Sequence, residues 1–438
     1  MMSCKGQGKT QLQNDADKSS TTKILKLPHL NDETPPWPAI VRSMTDRNGN
    51  LWFGTTKQGV FRCDYKDLMS GSINFTNYSI KDGLLSGSVY CMVEDKSGNI
   101  WFGTSSGVCF FNGHTFKSIP IPGTAAASIY PYLGIIADAR KRPREITNIL
   151  ADKKGAVWMS TDSGVYRYDG KNLSVFLTKD CLTGSDMYCS PRMGAIYEDS
   201  KGNIWFSSTL CRYVYKLDEA NATHPCITNH CSHSLSNKKE LQAHEQEIAK
   251  CFVEFRPRGG DSLNDVQSML EDKAGNTWFS TFKYGVFRYD GHTLTSFAGI
   301  KMLPDSYYVS MFEDHIGNIW FGTMGKISPG YEGIGVFKYD GQNMIHYSIK
   351  DGLADDRIMK IQEDKEGIIW FATQTKGVSA YSGKTFTGFA GKSNWFDDYI
   401  TSIIADKTGT IWVATWDMGL SRFDGKKFIS YTESYRPK

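Results

Sequence analysis

The chain has 438 residues, with 50 Lys and Arg against 47 Asp and Glu for a formal net charge of +3. Its basic residues are scattered rather than clustered, so nothing supports a nucleic-acid surface. No apolar run approaches the roughly 18 residues that cross a membrane, and length alone admits two or three domains.

In chain order, residues 1–22 come first; they are polar and lack apolar periodicity, the composition of a flexible tether. Beyond them one unit recurs. Eight times an Asp is followed three residues later by Gly and six later by Trp: Asp46/Gly49/Trp52, Asp95/Gly98/Trp101, Asp152/Gly155/Trp158, Asp199/Gly202/Trp205, Asp272/Gly275/Trp278, Asp314/Gly317/Trp320, Asp364/Gly367/Trp370 and Asp406/Gly409/Trp412. The internal spacing is constant, while the distance between tryptophans runs from 42 residues (Trp278 to Trp320) to 73 (Trp205 to Trp278). That is one structural unit copied eight times, with insertions confined to the connections.

The last copy shows the unit most clearly. Residues 400–405, 411–415, 419–423 and 427–431 are β-branched and aromatic runs, separated by an Asp-x-x-Gly turn and an Asp-Gly turn. Four short strands are predicted, and four-stranded antiparallel units of this period are propeller blades. The predicted fold is all-β: a single eight-bladed β-propeller over residues 23–438, closed by blade-to-blade packing. Each Trp is expected to wedge between neighbouring blades rather than to cage a ligand.

Two connections are oversized. Residues 117–144 carry the basic cluster Arg140-Lys-Arg-Pro-Arg144 and read as a solvated loop between blades two and three. Residues 211–262 are placed between blades four and five, and 236–255 within them predict an amphipathic helix bearing Leu241, Ile248, Phe252 and Phe255 on one stripe. This helical insertion is rich in Cys and His. Cys211, Cys226, Cys231 and Cys251 are disulfide candidates, with Cys181 and Cys189 as a further pair. A zinc site drawn from Cys226, Cys231 and His233 is one alternative and free thiols another; four cysteines allow three connectivities. No metal or other cofactor is assigned. Cys63, Cys91 and Cys109 lie in strand-like runs and read as small core residues.

The run Glu94-Asp-Lys-Ser-Gly-Asn-Ile-Trp-Phe-Gly-Thr104, with its cousins at 271–281, 313–323 and 363–373, resembles the two-component regulator propeller repeat over roughly residues 39–432. The fourth copy departs most, replacing the usual Gly-Val turn by Leu210-Cys-Arg-Tyr. The resemblance implies the ligand-sensing part of an extracytoplasmic bacterial sensor, of the kind frequent in the Bacteroidetes. Its expected partners are a polar small molecule, glycan or peptide, and a separate membrane sensor-kinase chain, since no kinase module follows Lys438. Ser3-Cys4 resembles the end of a bacterial lipoprotein signal, which would make Cys4 the lipid-bearing residue and the membrane a contact through that anchor alone. A periplasmic or outer-membrane location follows from both resemblances.

Counting back from each turn Asp locates the candidate binding surface. Positions six and three back are mostly apolar and are expected between blades, whereas four and five back are often small or polar and are expected on a narrow wet channel. Seven back, at one channel mouth, stand Ser88, Glu145, Arg192, Asp265, Tyr307, Arg357 and Tyr399. Connections between strands two and three should reach the same face and add Trp416. The predicted ligand site is therefore Glu145, Arg192, Asp265, Tyr307, Arg357, Tyr399 and Trp416, with Arg42 and Lys360 deeper inside. Guanidinium forks favour carboxylate, sulfate or phosphate, while the two acids argue for a mixed polar molecule such as a uronic-acid-type sugar. None of the nine His occupies a predicted channel position, so no general base is assigned. Asp355/Asp356 or Asp397/Asp398 could serve a glycosidase, but adjacent residues point apart. A hydrolase or lyase acting on polysaccharide or a small cyclic ester is the alternative to a binding module.

Overall fold

The computed structural model describes residues 39–71, 73–121, 145–161, 164–178, 193–208, 214–217, 252–254, 266–281, 285–297, 307–325, 333–389, 399–416 and 419–431. They form eight four-stranded antiparallel sheets, each made of four consecutive strands. The first strands are Ile40–Thr45, Val89–Glu94, Ile146–Ala151, Met193–Glu198, Val266–Glu271, Tyr307–Glu313, Ile358–Glu363 and Ile400–Ala405. Each touches the first strand of the next blade, and that of blade eight touches that of blade one, closing a ring. The predicted eight-bladed propeller is the fold. Blade eight has strands Ile400–Ala405, Ile411–Thr415, Leu420–Phe423 and Phe428–Ser430, within one residue of expectation.

The repeated motif is a single hydrogen-bonded device. In every copy the Gly amide donates to the Asp carbonyl, with φ between 78° and 97°, a left-handed conformation that glycine adopts without a Cβ clash. One carboxylate oxygen accepts the amide four residues on, at 2.7 to 3.0 Å in all eight copies. The other accepts the indole Nε1–H six residues on, at 2.7 to 2.9 Å. The indole is thereby held flat between blades: Trp52 packs on Val89, Ile100 and Phe102 of blade two, and Trp412 on Phe53 and Phe61 of blade one. In six blades a Lys or Arg from the third strand lies over the indole, as Arg288 does 5.8 Å from Trp278, which is where part of the scattered positive charge resides.

Neighbouring turns are also latched. The Glu preceding the turn Asp accepts the amide of the residue following the previous blade's turn Asp: Arg47 to Glu94, Lys153 to Glu198, Ser200 to Glu271, Lys273 to Glu313 and His315 to Glu363. Three junctions lack this Glu, because Ala151, Ala405 and Thr45 stand there.

Two insertion boundaries differ from expectation. Phe116–Ile119 is the fourth strand of blade two, so the first insertion begins beyond it. Val214–Leu217 and Phe252–Glu254 are the third and fourth strands of blade four, paired through Leu217 and Phe252. The second insertion therefore interrupts blade four rather than separating two blades, and the predicted helix cannot reach Phe252. A blade needs its outer pair, and the short run Phe252-Val-Glu satisfies strand alternation as well as a helical stripe. A short helix, Tyr65–Ser70, follows the third strand of blade one and had no counterpart among the predicted elements. The tether with Cys4 and all six disulfide-candidate cysteines lie outside the described residues. Cys63, Cys91 and Cys109 are buried free thiols in the core.

Candidate functional site

Each innermost strand carries an irregularity at one place. A register shift skips the fifth residue before the turn Asp, as at Ile40/Arg42, Val89/Cys91, Ile358/Lys360 and Ile400/Ser402, and the other four blades shift at the same level. A bulge re-aims side chains that alternation would send to opposite faces. Position five back leaves the ladder and position six back is fully buried, as Ile40, Ile358 and Ile400 are at 0–1% exposure; four back, the long Arg42 and Lys360 side chains are exposed while Cys91, Ser310 and Ser402 are buried. The non-alternating pattern of polar and apolar residues has this cause.

The mouth and the loops between strands two and three share one face, as expected, and backbone bonds join them. The amides of Thr56, Ser105, Gln374 and Trp416 donate to the carbonyls of Ala39, Ser88, Arg357 and Tyr399 at 2.8 to 3.2 Å. Blades seven, eight and one, which are neighbours, supply the densest described chemistry. On blade eight the rings of Tyr399 and Trp416 meet edge to face at 6.1 Å, and Trp416 is 45% exposed. Burial raises the Tyr399 phenol above its ordinary value, so it stays neutral and can donate.

Arg357 on blade seven is held in place. Its Nη2 donates to Thr375 Oγ1 at 2.9 Å and lies 3.5 Å from Asp355 Oδ2, while Asp355 also accepts the Thr375 hydroxyl at 2.7 Å. Burial opposes ionisation of Asp355, but the Thr375 hydroxyl, the Arg357 amide and the guanidinium together keep its carboxyl below the ordinary range. Asp356 turns the other way and accepts the Ile349 amide at 2.7 Å; burial and the Asp355 charge raise it. The two carboxylates thus serve separate partners, as adjacent residues should. The Asp355–Thr375 clamp was missed in the sequence, where only the spacing Asp355-x-Arg357 hints at it.

Below the mouth, Arg42 and Lys360 are exposed side chains of innermost strands. Lys360 is solvent-accessible but surrounded at longer range by the walls of the ring. Desolvation by those walls, followed by the charge of Arg42, pushes its amine down to about 8. Glu145 immediately precedes its strand and is half-buried. Tyr307 is already paired with Gly325 as the first residue of its strand. Arg192, Asp265, Asp397 and Asp398 lie outside the described residues. Among the described residues no cluster of His, Cys, Asp or Glu could hold a metal, and no helix is long and apolar enough to cross a membrane.

Five segments, 83–106, 188–209, 302–325, 352–375 and 394–417, match the family described as two component regulator propeller. Each covers the entry to a blade and its two inner strands, the half that carries the mouth and the channel. No curated protein matches the chain. Among solved structures, one described as the extracellular domain of a one-component system of B. thetaiotaomicron is 17% identical, with a TM-score of 0.39 over 94% of this chain and 62% of the other. A virginiamycin B lyase from Staphylococcus aureus is 14% identical, with a TM-score of 0.47 over 76% of this chain and 94% of the lyase. PorZ, a bacterial surface component of the type-IX secretion system of Porphyromonas gingivalis, is 14% identical, with a TM-score of 0.49 over 93% of this chain and 61% of PorZ. The chain spans about three-fifths of the length of the first and the last of these, 62% and 61%. Five of the eight blades thus match the two component regulator propeller repeat, and they do so over their entry and inner strands.

Proposed function

We propose that this propeller is an extracytoplasmic, sensor-like binding module that captures a polar ligand with flat faces at the mouth above blades seven, eight and one. One observation carries the reading: blade eight offers the exposed Trp416 ring, set edge-on by Tyr399, and the next blade, seven, a guanidinium already oriented by Asp355 and Thr375. Aromatic faces stack on sugar rings and peptide planes, and a pre-set guanidinium binds oxygen acceptors at low entropic cost. The family of the repeats supports a sensing role, and signalling would pass to a partner chain such as a membrane sensor kinase.

Thermal-shift screening against neutral and uronic-acid oligosaccharides and short peptides, with product analysis of each hit, tests the reading. Binding without turnover, weakened about tenfold or more in Trp416→Ala with an unchanged melting temperature, is the expected result. Product formation would instead favour a hydrolase or lyase. Full affinity in Trp416→Ala would place the ligand elsewhere.

A further inference from the structure

The innermost strands present one residue each at the level four before the turn Asp. Two of the eight are cations, Arg42 and Lys360; the others are Cys91, Asn148, Ala195, Ser268, Ser310 and Ser402. No carboxylate occurs at this level or one residue nearer the mouth. Lys360 belongs to blade seven and Arg42 to blade one, with Ser402 of blade eight between them. The Ser402 hydroxyl is bonded to that of Ser43, which fixes this part of the wall.

Neither cation is neutralised by a described residue. Among the described residues, Arg42 Nη1 bonds only the neighbouring carbonyl of Val41, at 3.3 Å, and Lys360 has no hydrogen bond or ion pair. Among the described residues, the one charged group acting on Lys360 is Arg42, and it repels. Two like charges at one level of the inner wall raise each other's energy. An oxyanion placed between them would reverse that repulsion and gain charge-assisted bonds.

We propose that Arg42 and Lys360 form an oxyanion site within the channel, one level below the mouth. Its ligand class is carboxylate, sulfate or phosphate. The anion can arrive free or as the acid group of the mouth ligand, and only the second route rests on the function proposed above. The site stands apart from the Trp416 surface by depth and by residues. Neutral sugars should engage the mouth alone.

Calorimetric titration of the full chain with sulfate and with phosphate, against chloride at constant ionic strength, tests it. Saturable binding by either oxyanion is expected, weakened about tenfold or more in Lys360→Met and in Arg42→Met and restored in Lys360→Arg. Trp416→Ala should leave sulfate binding intact, which separates this site from the mouth. Should free oxyanions not bind, a uronic acid bound more tightly than its neutral parent sugar, with that preference lost in Lys360→Met, identifies the acid group of the ligand as the occupant. If chloride reproduces the sulfate signal, or if the Met variants retain both sulfate binding and the preference for acidic sugar, the proposal is overturned. Each variant's folding is checked by its own melting curve, and Lys360→Gln replaces Lys360→Met if the latter fails to fold.

Discussion

Replacing Asp314 by Ala isolates the device that is repeated eight times. The Asp314 carboxylate is 3% exposed and accepts three bonds: from the Asn318 amide at 2.7 Å, from Asn318 Nδ2 at 2.6 Å and from Trp320 Nε1 at 2.9 Å. Alanine strands all three donors. A buried donor left without a partner costs about 1–3 kcal/mol. Water can relieve part of this at the turn but not at Trp320, which is 1% exposed. The sum is about 3–6 kcal/mol once non-additivity is allowed for. At roughly 1–2 °C per kcal/mol for a chain of this length, extending the size scaling of smaller domains, the melting temperature should fall by about 3–12 °C. Asp314→Asn keeps the shape and one acceptor, so it should cost about half as much. Urea denaturation followed by tryptophan fluorescence gives the midpoint shift, and circular dichroism the melting temperature. An Asp314→Ala protein that melts within about 1 °C of wild type, with an unchanged urea midpoint, would refute a structural role for the motif.

Gly335→Ala and Gly275→Ala separate backbone strain from crowding. Both glycines have positive φ, 88° and 83°, but a Cβ at Gly335 overlaps the Tyr347 carbonyl oxygen whereas one at Gly275 meets open space. Gly275→Ala should cost about 1–2 kcal/mol and Gly335→Ala distinctly more; equal urea midpoints would contradict this. The thiols of Cys63, Cys91 and Cys109, raised by burial to about 12, about 12 and about 11, should resist a thiolate-directed alkylating reagent until the chain unfolds, as intact-mass labelling would show. For Lys360 the folded amine sits at about 8 against 10.5 when free, so between these values the unfolded chain binds more protons and stability gained from this group rises with pH. Lys360→Met should therefore be more stable than wild type at pH 7, with the gap closing by pH 10; a gap that is constant in paired urea titrations would sink the argument.

The blade count was legible because Asp, Gly and Trp keep fixed spacing whatever is inserted between copies. The reason for that spacing was not: the six-residue step brings a carboxylate onto an indole N–H, a contact that exists only once the turn has folded. The channel pattern was also visible, polar at positions four and five and apolar at six and three, but strand alternation forbids it without the bulge. At the mouth, Tyr399 and Trp416 were both singled out, while their pairing and the clamp on Arg357 depend on the loop after the second strand. The end of the insertion was misplaced because Phe252-Val-Glu is too short for its periodicity to choose between helix and strand. The Glu-Asp-Lys runs such as Glu271-Asp-Lys273 were read only as part of the repeat; that their Glu accepts an amide across a blade junction appears only in the closed ring.

Those latches make the ring's stiffness uneven. Blade eight has no Glu latch on either flank, since Ala405 and Thr45 occupy the two positions. Against blade seven it leans on apolar contacts such as Trp370 with Ile400 and Ile411, which slide more readily than oriented hydrogen bonds. Its other flank is stitched to blade one by Thr45 Oγ1 to the Ala405 carbonyl at 3.2 Å and by Lys407 Nζ to the Arg47 carbonyl. Mechanically, two of the three unlatched joints of the torus flank the blade that carries Tyr399 and Trp416. A load applied to those rings is therefore delivered to seams that lack the Glu latch, whereas most other seams of the ring carry it.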